Sequence, residues 1–195
     1  MGSPPGSAML LAGSVGYARG CLSCVRPGFL SRPTPCAAWD LAALLQHLGD
    51  SLAAFHEGIS AASVGRWPAR QVSDPAGLIA SVRERAGRLQ AACAAAAGQD
   101  QPVAIADRHL AGSVVAAVGA LEIAVHGWDV AEACGCRMPI PPGLAAGILK
   151  IVPLVVTDAV RNACFGRPVI VSPRASAGDR LVALLGRAPL GRAPQ

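Results

Sequence analysis

Ser113-Val-Val-Ala-Ala-Val-Gly-Ala-Leu-Glu-Ile-Ala-Val-His-Gly-Trp-Asp-Val-Ala-Glu-Ala-Cys134 is the stretch on which the reading of this chain turns. It is apolar on nearly every side, and a helix of that kind belongs in the middle of a protein. Glu122, His126 and Asp129 interrupt it, and their spacings of four and three put them on one stripe. A carboxylate in such surroundings is costly unless it is paired or bound to a metal. The neighbours on the stripe, Val115, Val118, Gly119 and Ala133, are small or medium and leave room beside the polar groups. Glu and His one turn apart can grip a single ion. The competing reading is a buried Glu–His hydrogen bond with no metal. Gly135 is the expected C-cap.

Working outward, Asp40 reads as an N-cap, with Trp39 before it and Leu44 after it placed as a hydrophobic staple. The spacing predicts a helix over 41–59 with the apolar stripe Leu41, Leu44, Leu45, Leu48, Leu52, Phe55 and Ile59. Ser73-Asp74-Pro75 starts another, ending near Gly98. A loop follows over 101–110, with a short strand at Val103-Ala-Ile105. A further helix begins after Pro141-Pro142 and reaches Cys164, kinked or split by Pro153. These four helices predict an all-α bundle. Before them, 9–29 is weakly helical. After them come an extended segment over 165–173 and a short amphipathic helix from Ser176 to Leu185. The expected division is a disordered N-terminus over 1–8, one domain over 9–186 and a flexible basic tail over 187–195.

Composition supports this. Hydrophobic residues make up 52% of the 195 residues and charged ones 15%, which excludes a disordered chain. Ala and Leu dominate over the 4% aromatics, as in helical proteins. The net charge is +5, but the Arg residues are scattered and not interleaved with aromatics, so no nucleic-acid partner is expected. No uninterrupted apolar run reaches the roughly 18 residues of a membrane span, and Ala8 to Val15 lacks the basic flank of a signal peptide. The chain is therefore expected in the cytoplasm, without a membrane partner. Seven cysteines, an odd number, read as reduced thiols. Cys21 and Cys24 have metal-pair spacing, but Cys134-Gly-Cys136 is too tight to complete an ordinary zinc site, and two small buried side chains on a helix is the plainer reading.

A third ligand must come from elsewhere. The histidines are His47, His56, His109 and His126. His109 sits in a loop beside Arg108. His47 and His56 lie on opposite edges of one helix, so only one can face the site, and spacing does not choose between them.

A resemblance does choose. Arg32-Pro-Thr-Pro-Cys-Ala-Ala-Trp-Asp-Leu-Ala-Ala-Leu-Leu-Gln-His-Leu48 resembles the opening motif of the mycothiol-dependent maleylpyruvate isomerase family, within the DinB-like metalloprotein superfamily. Leu121-Glu-Ile-Ala-Val-His-Gly-Trp-Asp129 resembles its second motif. Phe165-Gly-Arg-Pro-Val-Ile-Val171 and Ala177-Gly-Asp-Arg-Leu-Val-Ala-Leu-Leu-Gly186 are similar to the tail of stand-alone actinobacterial members.

The resemblance implies a four-helix bundle holding one divalent metal, zinc first, with nickel or iron as alternatives, through His47, Glu122 and His126. It implies Asp129 as the catalytic or supporting carboxylate. It also implies a small-molecule substrate, mycothiol as thiol cosubstrate, and is compatible with a homodimer. Three protein ligands leave a position open for chemistry. The full isomerases carry an extra C-terminal domain that supplies an essential Arg. Neither Arg174 nor Arg180 aligns with it, so a thiol transferase acting on another electrophile is expected over the isomerisation itself. A thiol-independent metal-dependent hydrolase or rearrangement enzyme, and a non-catalytic metal-binding protein, are the alternatives.

Overall fold

The computed structural model describes residues 6–36, 39–65, 74–96, 100–157 and 165–189. It contains α1 (Ser7–Leu22), α2 (Leu41–Ala61), α3 (Pro75–Ala95), α4 (Gly112–Cys134), α5 (Pro142–Val155) and α6 (Ala177–Leu184). A small sheet of β1 (Ser63–Val64), β2 (Val103–Ile105) and β3 (Arg108–Leu110) accompanies them. The chain is mostly helical, as expected. By its contacts it falls into two compact units, 1–138 and 139–195.

The first unit is a four-helix bundle in which α1 packs on α4 and α3, and α2 packs on α3 and α4. Its fourth member is α1, not the helix after Pro141 as the apolar pattern suggested. The reason lies in the contact. A Cβ on Gly127 of α4 would stand 3.2 Å from both Cα and Cβ of Ala18, one on Gly119 would meet Leu11 at 3.0 Å, and Ser14 Oγ donates to the Ala120 carbonyl at 2.8 Å. Small residues let the two backbones approach closely, and they leave a weak hydrophobic period. Leu11 beside Gly119 and Ala18 beside Gly127 also show that α1 and α4 run parallel. Helix α2 runs against α4, with Gly58 beside Val115 and His47 beside Glu122.

The caps are as read. Asp40 accepts from Ala43 N at 2.8 Å and Asp74 from Gly77 N at 2.6 Å. The α2 stripe is fully buried from Leu41 through Leu52, while Phe55 and Ile59 are half-buried. Asp50 receives Arg85 of α3 at 3.0 Å, and Arg83 donates to the Leu22 and Val25 carbonyls, tying α3 to the end of α1. Helix α4 is long and apolar enough to cross a membrane by length and composition, but 83% of its most apolar window is buried inside the protein. The sheet extends the single strand that was expected: β1 pairs parallel with β2, and β2 antiparallel with β3. His109, expected in a loop, is on β3 and exposed.

Several boundaries move. Helix α1 begins at Ser7, inside the segment expected to be disordered. Cys24 lies beyond the end of α1 and is half-exposed, so only Cys21 is the buried helical thiol foreseen. In the second unit, α5 runs through Pro153 to Val155 and packs on α6. Residues 165–172 form neither helix nor strand. Arg187, the first residue of the expected tail, is buried; its backbone N–H donates to the Val182 carbonyl and its guanidinium faces the Phe165 ring. The expectations for 1–5, Gly98, 158–164 and 190–195 lie outside the described residues.

Replacing Gly127 by Val should therefore destabilise the bundle by about 1–3 kcal/mol, because the added atoms meet the α1 backbone. Gly87→Ala in α3, where a Cβ meets nothing within 4 Å, should stabilise by about 0.5–1 kcal/mol through helix propensity. Urea unfolding of the two variants checks the pair; equal shifts would contradict the packing.

Candidate metal centre

The α4 stripe meets α2 at one point. His47 Nε2–H donates to Glu122 Oε1 at 2.6 Å, and Ser51, one turn further along α2, donates to the same oxygen at 3.2 Å. His126 Nε2 is 3.5 Å from that oxygen. On its other side, His126 Nδ1 donates to Asp129 Oδ2 at 3.0 Å. Asp129 is fully buried, His126 is buried, and Glu122 and His47 are partly open, with side chains 25% and 37% exposed. The polar row thus runs from a closed end at Asp129 to an accessible end at His47.

The ligand atoms of His47, Glu122 and His126 all lie within 4.8 Å of one another, and among the described residues no other His, Cys, Asp or Glu group converges in this way. The donor set suits a divalent ion. With metal–ligand bonds of about 2.0–2.1 Å, two donors on a tetrahedral ion stand about 3.4 Å apart, and His126 Nε2 and Glu122 Oε1 already have nearly that spacing. His47 sits closer, as a hydrogen-bond donor should. To coordinate it must give up the proton it shares with Glu122. The Nδ1–Asp129 bond fixes the His126 tautomer with its Nε2 lone pair toward the shared point, the usual support for a ligating histidine.

The electrostatics follow from the partners. Burial, the largest single influence, pushes the Glu122 carboxyl up. The hydrogen bond from His47, the charges of His126 and His47, and the Ser51 hydroxyl together outweigh it, so Glu122 ionises below the ordinary glutamate range.

The structure brings together His47, Glu122, His126 and Asp129, the four residues the sequence singled out. It leaves the other histidines apart: His56 bonds to Ser60 on its own helix, and His109 is on the exposed strand β3. Two participants were missed. Trp39, read as half of a staple, places its ring 4.5 Å from that of His47 and 6.0 Å from that of His126. Ser51 was seen as a small polar neighbour of His47 but not as a partner of Glu122. Its signal was its position one turn from His47 on the same face. The imidazoles of His47 and His126 meet edge to face at 5.0 Å.

Known proteins give the same outline. The sequence model of a family described as mycothiol maleylpyruvate isomerase N-terminal domain matches residues 16–131, more than half of the chain. Two uncharacterized proteins of Mycobacterium tuberculosis, from strains CDC 1551 / Oshkosh and ATCC 25618 / H37Rv, are each 29% identical over 175 residues, covering 85% of this chain and 89% of theirs. Among solved structures, a mycothiol-dependent maleylpyruvate isomerase superposes with a TM-score of 0.54 at 14% identity, covering 72% of this chain and 65% of that one. A histidine-to-alanine mutant of a mycothiol-dependent maleylpyruvate isomerase gives 0.54 at 16% identity with the same coverage. At these identities the likeness is one of fold.

Two outcomes are expected. His47→Ala and His126→Ala should lower bound divalent metal severely and His56→Ala should not, as elemental analysis of the purified variants would show; equal metal in all three would remove the site. In the metal-free protein, the stabilisation from ionised Glu122 should be fully present above the ordinary glutamate pKa. It should be lost as pH falls through the lowered folded value. Denaturant midpoints against pH should show an acid-side decline that Glu122→Gln flattens.

Proposed function

Because the chain belongs to the mycothiol maleylpyruvate isomerase N-terminal domain family, we propose that it is a divalent-metal-dependent enzyme that uses a low-molecular-weight thiol, of the mycothiol type, against a small electrophile. The observation that carries this reading is the convergence of His47, Glu122 and His126, with the far nitrogen of His126 held by buried Asp129. His47, Glu122 and His126 are the proposed ligands, for zinc first, with nickel and iron as alternatives a two-His, one-carboxylate set also accepts. An ion bound there, with three protein ligands and a position left open, would lower the pKa of an incoming thiol so that it is nucleophilic near neutral pH.

The chain's own residues supply the rest. Asp129 holds the His126 ring in the tautomer that leaves Nε2 free to bind, and its burial keeps that carboxylate from exchanging its partner for water. Ser51 steadies the Glu122 oxygen. Trp39 forms an apolar wall beside both imidazoles, where it limits water and favours a small organic substrate. Transfer of the thiol to an electrophile and isomerisation of an activated alkene share a first step, sulfur–carbon bond formation by a thiolate. A thiol-using enzyme of this kind fits the reducing cytoplasm.

The test is to incubate metal-loaded protein with mycothiol and either maleylpyruvate or a bimane electrophile. Thiol-dependent turnover is expected, abolished by chelation and lowered about 10–100-fold in Asp129→Asn. Turnover without thiol, lost on chelation, would replace this reading with a thiol-independent metal hydrolase or rearrangement enzyme. Tight metal binding with no turnover would leave a non-catalytic metal-binding protein.

A further inference from the structure

The parallel course of α1 and α4 puts their C-terminal ends at the same end of the bundle, and a second set of donors gathers there. Helix α4 stops at Gly135, which is left-handed at φ 73°. Its N–H bonds to the Glu132 carbonyl and that of Cys136 to Ala131, a pairing that turns the chain back on the helix end. The turn delivers Cys136 and Met138 to the last turn of α1. Tyr17 Oη donates to the Met138 carbonyl at 2.6 Å, and the Met138 methyl lies against Gly20, where a Cβ would stand 3.2 Å from it. Cys24 arrives from the other side, its N–H bonded to the Cys21 carbonyl as the chain leaves α1.

Two further sulfurs lie beside that of Cys24 as a result. Cys24 Sγ is 3.8 Å from Met138 Sδ and shares a side-chain hydrogen bond with the Cys136 thiol. With metal–sulfur bonds of about 2.3 Å, two sulfurs of a trigonal site stand about 4 Å apart. Cys24 and Cys136 are both half-exposed, so a small ion can reach them. Among the described residues no third Cys, His, Asp or Glu donor converges with this pair. That speaks against a structural zinc, which calls for four ligands. Two thiols and a thioether are instead the soft donors that select monovalent copper.

We propose that Cys24, Cys136 and Met138 form a three-sulfur site for a soft monovalent cation, Cu(I), separate from the His47–Glu122–His126 cluster. Each thiol releases its proton to solvent as it binds, and no electrons are exchanged. Burial, the hydrogen bond to Cys136 and the neighbouring thiols push the Cys24 thiol up to about 11.

Anaerobic titration of the reduced full-length protein with Cu(I), against a chromophoric Cu(I) chelator, tests this. One equivalent per chain is expected to be withheld from the chelator. Cys24→Ser and Cys136→Ser should each weaken retention at least about a hundredfold, and Met138→Leu about tenfold. His126→Ala and Cys93→Ser, the latter on α3, should bind as the unsubstituted chain does. Met138→Leu conserves volume, so its effect does not depend on a damaged fold, and circular dichroism checks the serine variants. Unchanged retention in Cys24→Ser or in Met138→Leu overturns the site, as does recovery of a Cys24–Cys136 disulfide without bound copper. Loss of Cu(I) in His126→Ala would place the copper in the histidine cluster and overturn it equally.

Discussion

A carboxylate row on a long, apolar and largely buried helix has to find partners, and the bundle is organised around finding them. Asp129 is fully buried and Glu122 largely so, and an unpaired charge in either place would cost several kcal/mol. Asp129 finds its partner on its own helix, in His126. Glu122 finds His47 and Ser51 across the α2 interface. The second solution sets the register of α2 on α4, because both donors must present themselves to the same oxygen. The leucine stripe of α2 supplies the apolar contact on either side of that polar point, and it could slide by a turn without it.

Much of this is legible in the sequence, and what is not has a common cause. Helices α2 and α4 announce themselves through strong periodicity and clear caps, and Glu122, His126 and Asp129 through spacing alone. His47 could be preferred to His56 only through likeness to a family, because helical geometry puts them on opposite faces and says nothing of which face meets α4. Helix α1 was underrated because it reaches α4 through Ser14, Ala18 and the glycines opposite, residues that carry almost no hydrophobic signal. Trp39 escaped as a wall of the site because its ring is aimed by the turn before α2, and local patterns rank such a residue as a cap contact. Likewise, no local pattern says that Cys24 and Met138 meet, since that depends on the direction in which two distant helices run.

The family places the fold and leaves the chemistry to the site. The solved isomerase shares the bundle at 14% identity, and the chain covers 65% of its length. Similarity at that level preserves helix order and the point where helices cross. In this chain the indole of Trp39, the open edge of His47 and the small residues around the polar row surround that point.

The close seam between α1 and α4 has a consequence for how such a protein can diversify. Where backbones touch through glycine, alanine and serine, almost any larger side chain is a wedge, so that seam tolerates little drift. The rim beside the imidazoles, where Trp39 stands just ahead of α2, is made by side chains rather than by touching backbones. Substitutions beside the imidazoles could then be absorbed by the side chains themselves, while the same change in the seam would force the two helices apart.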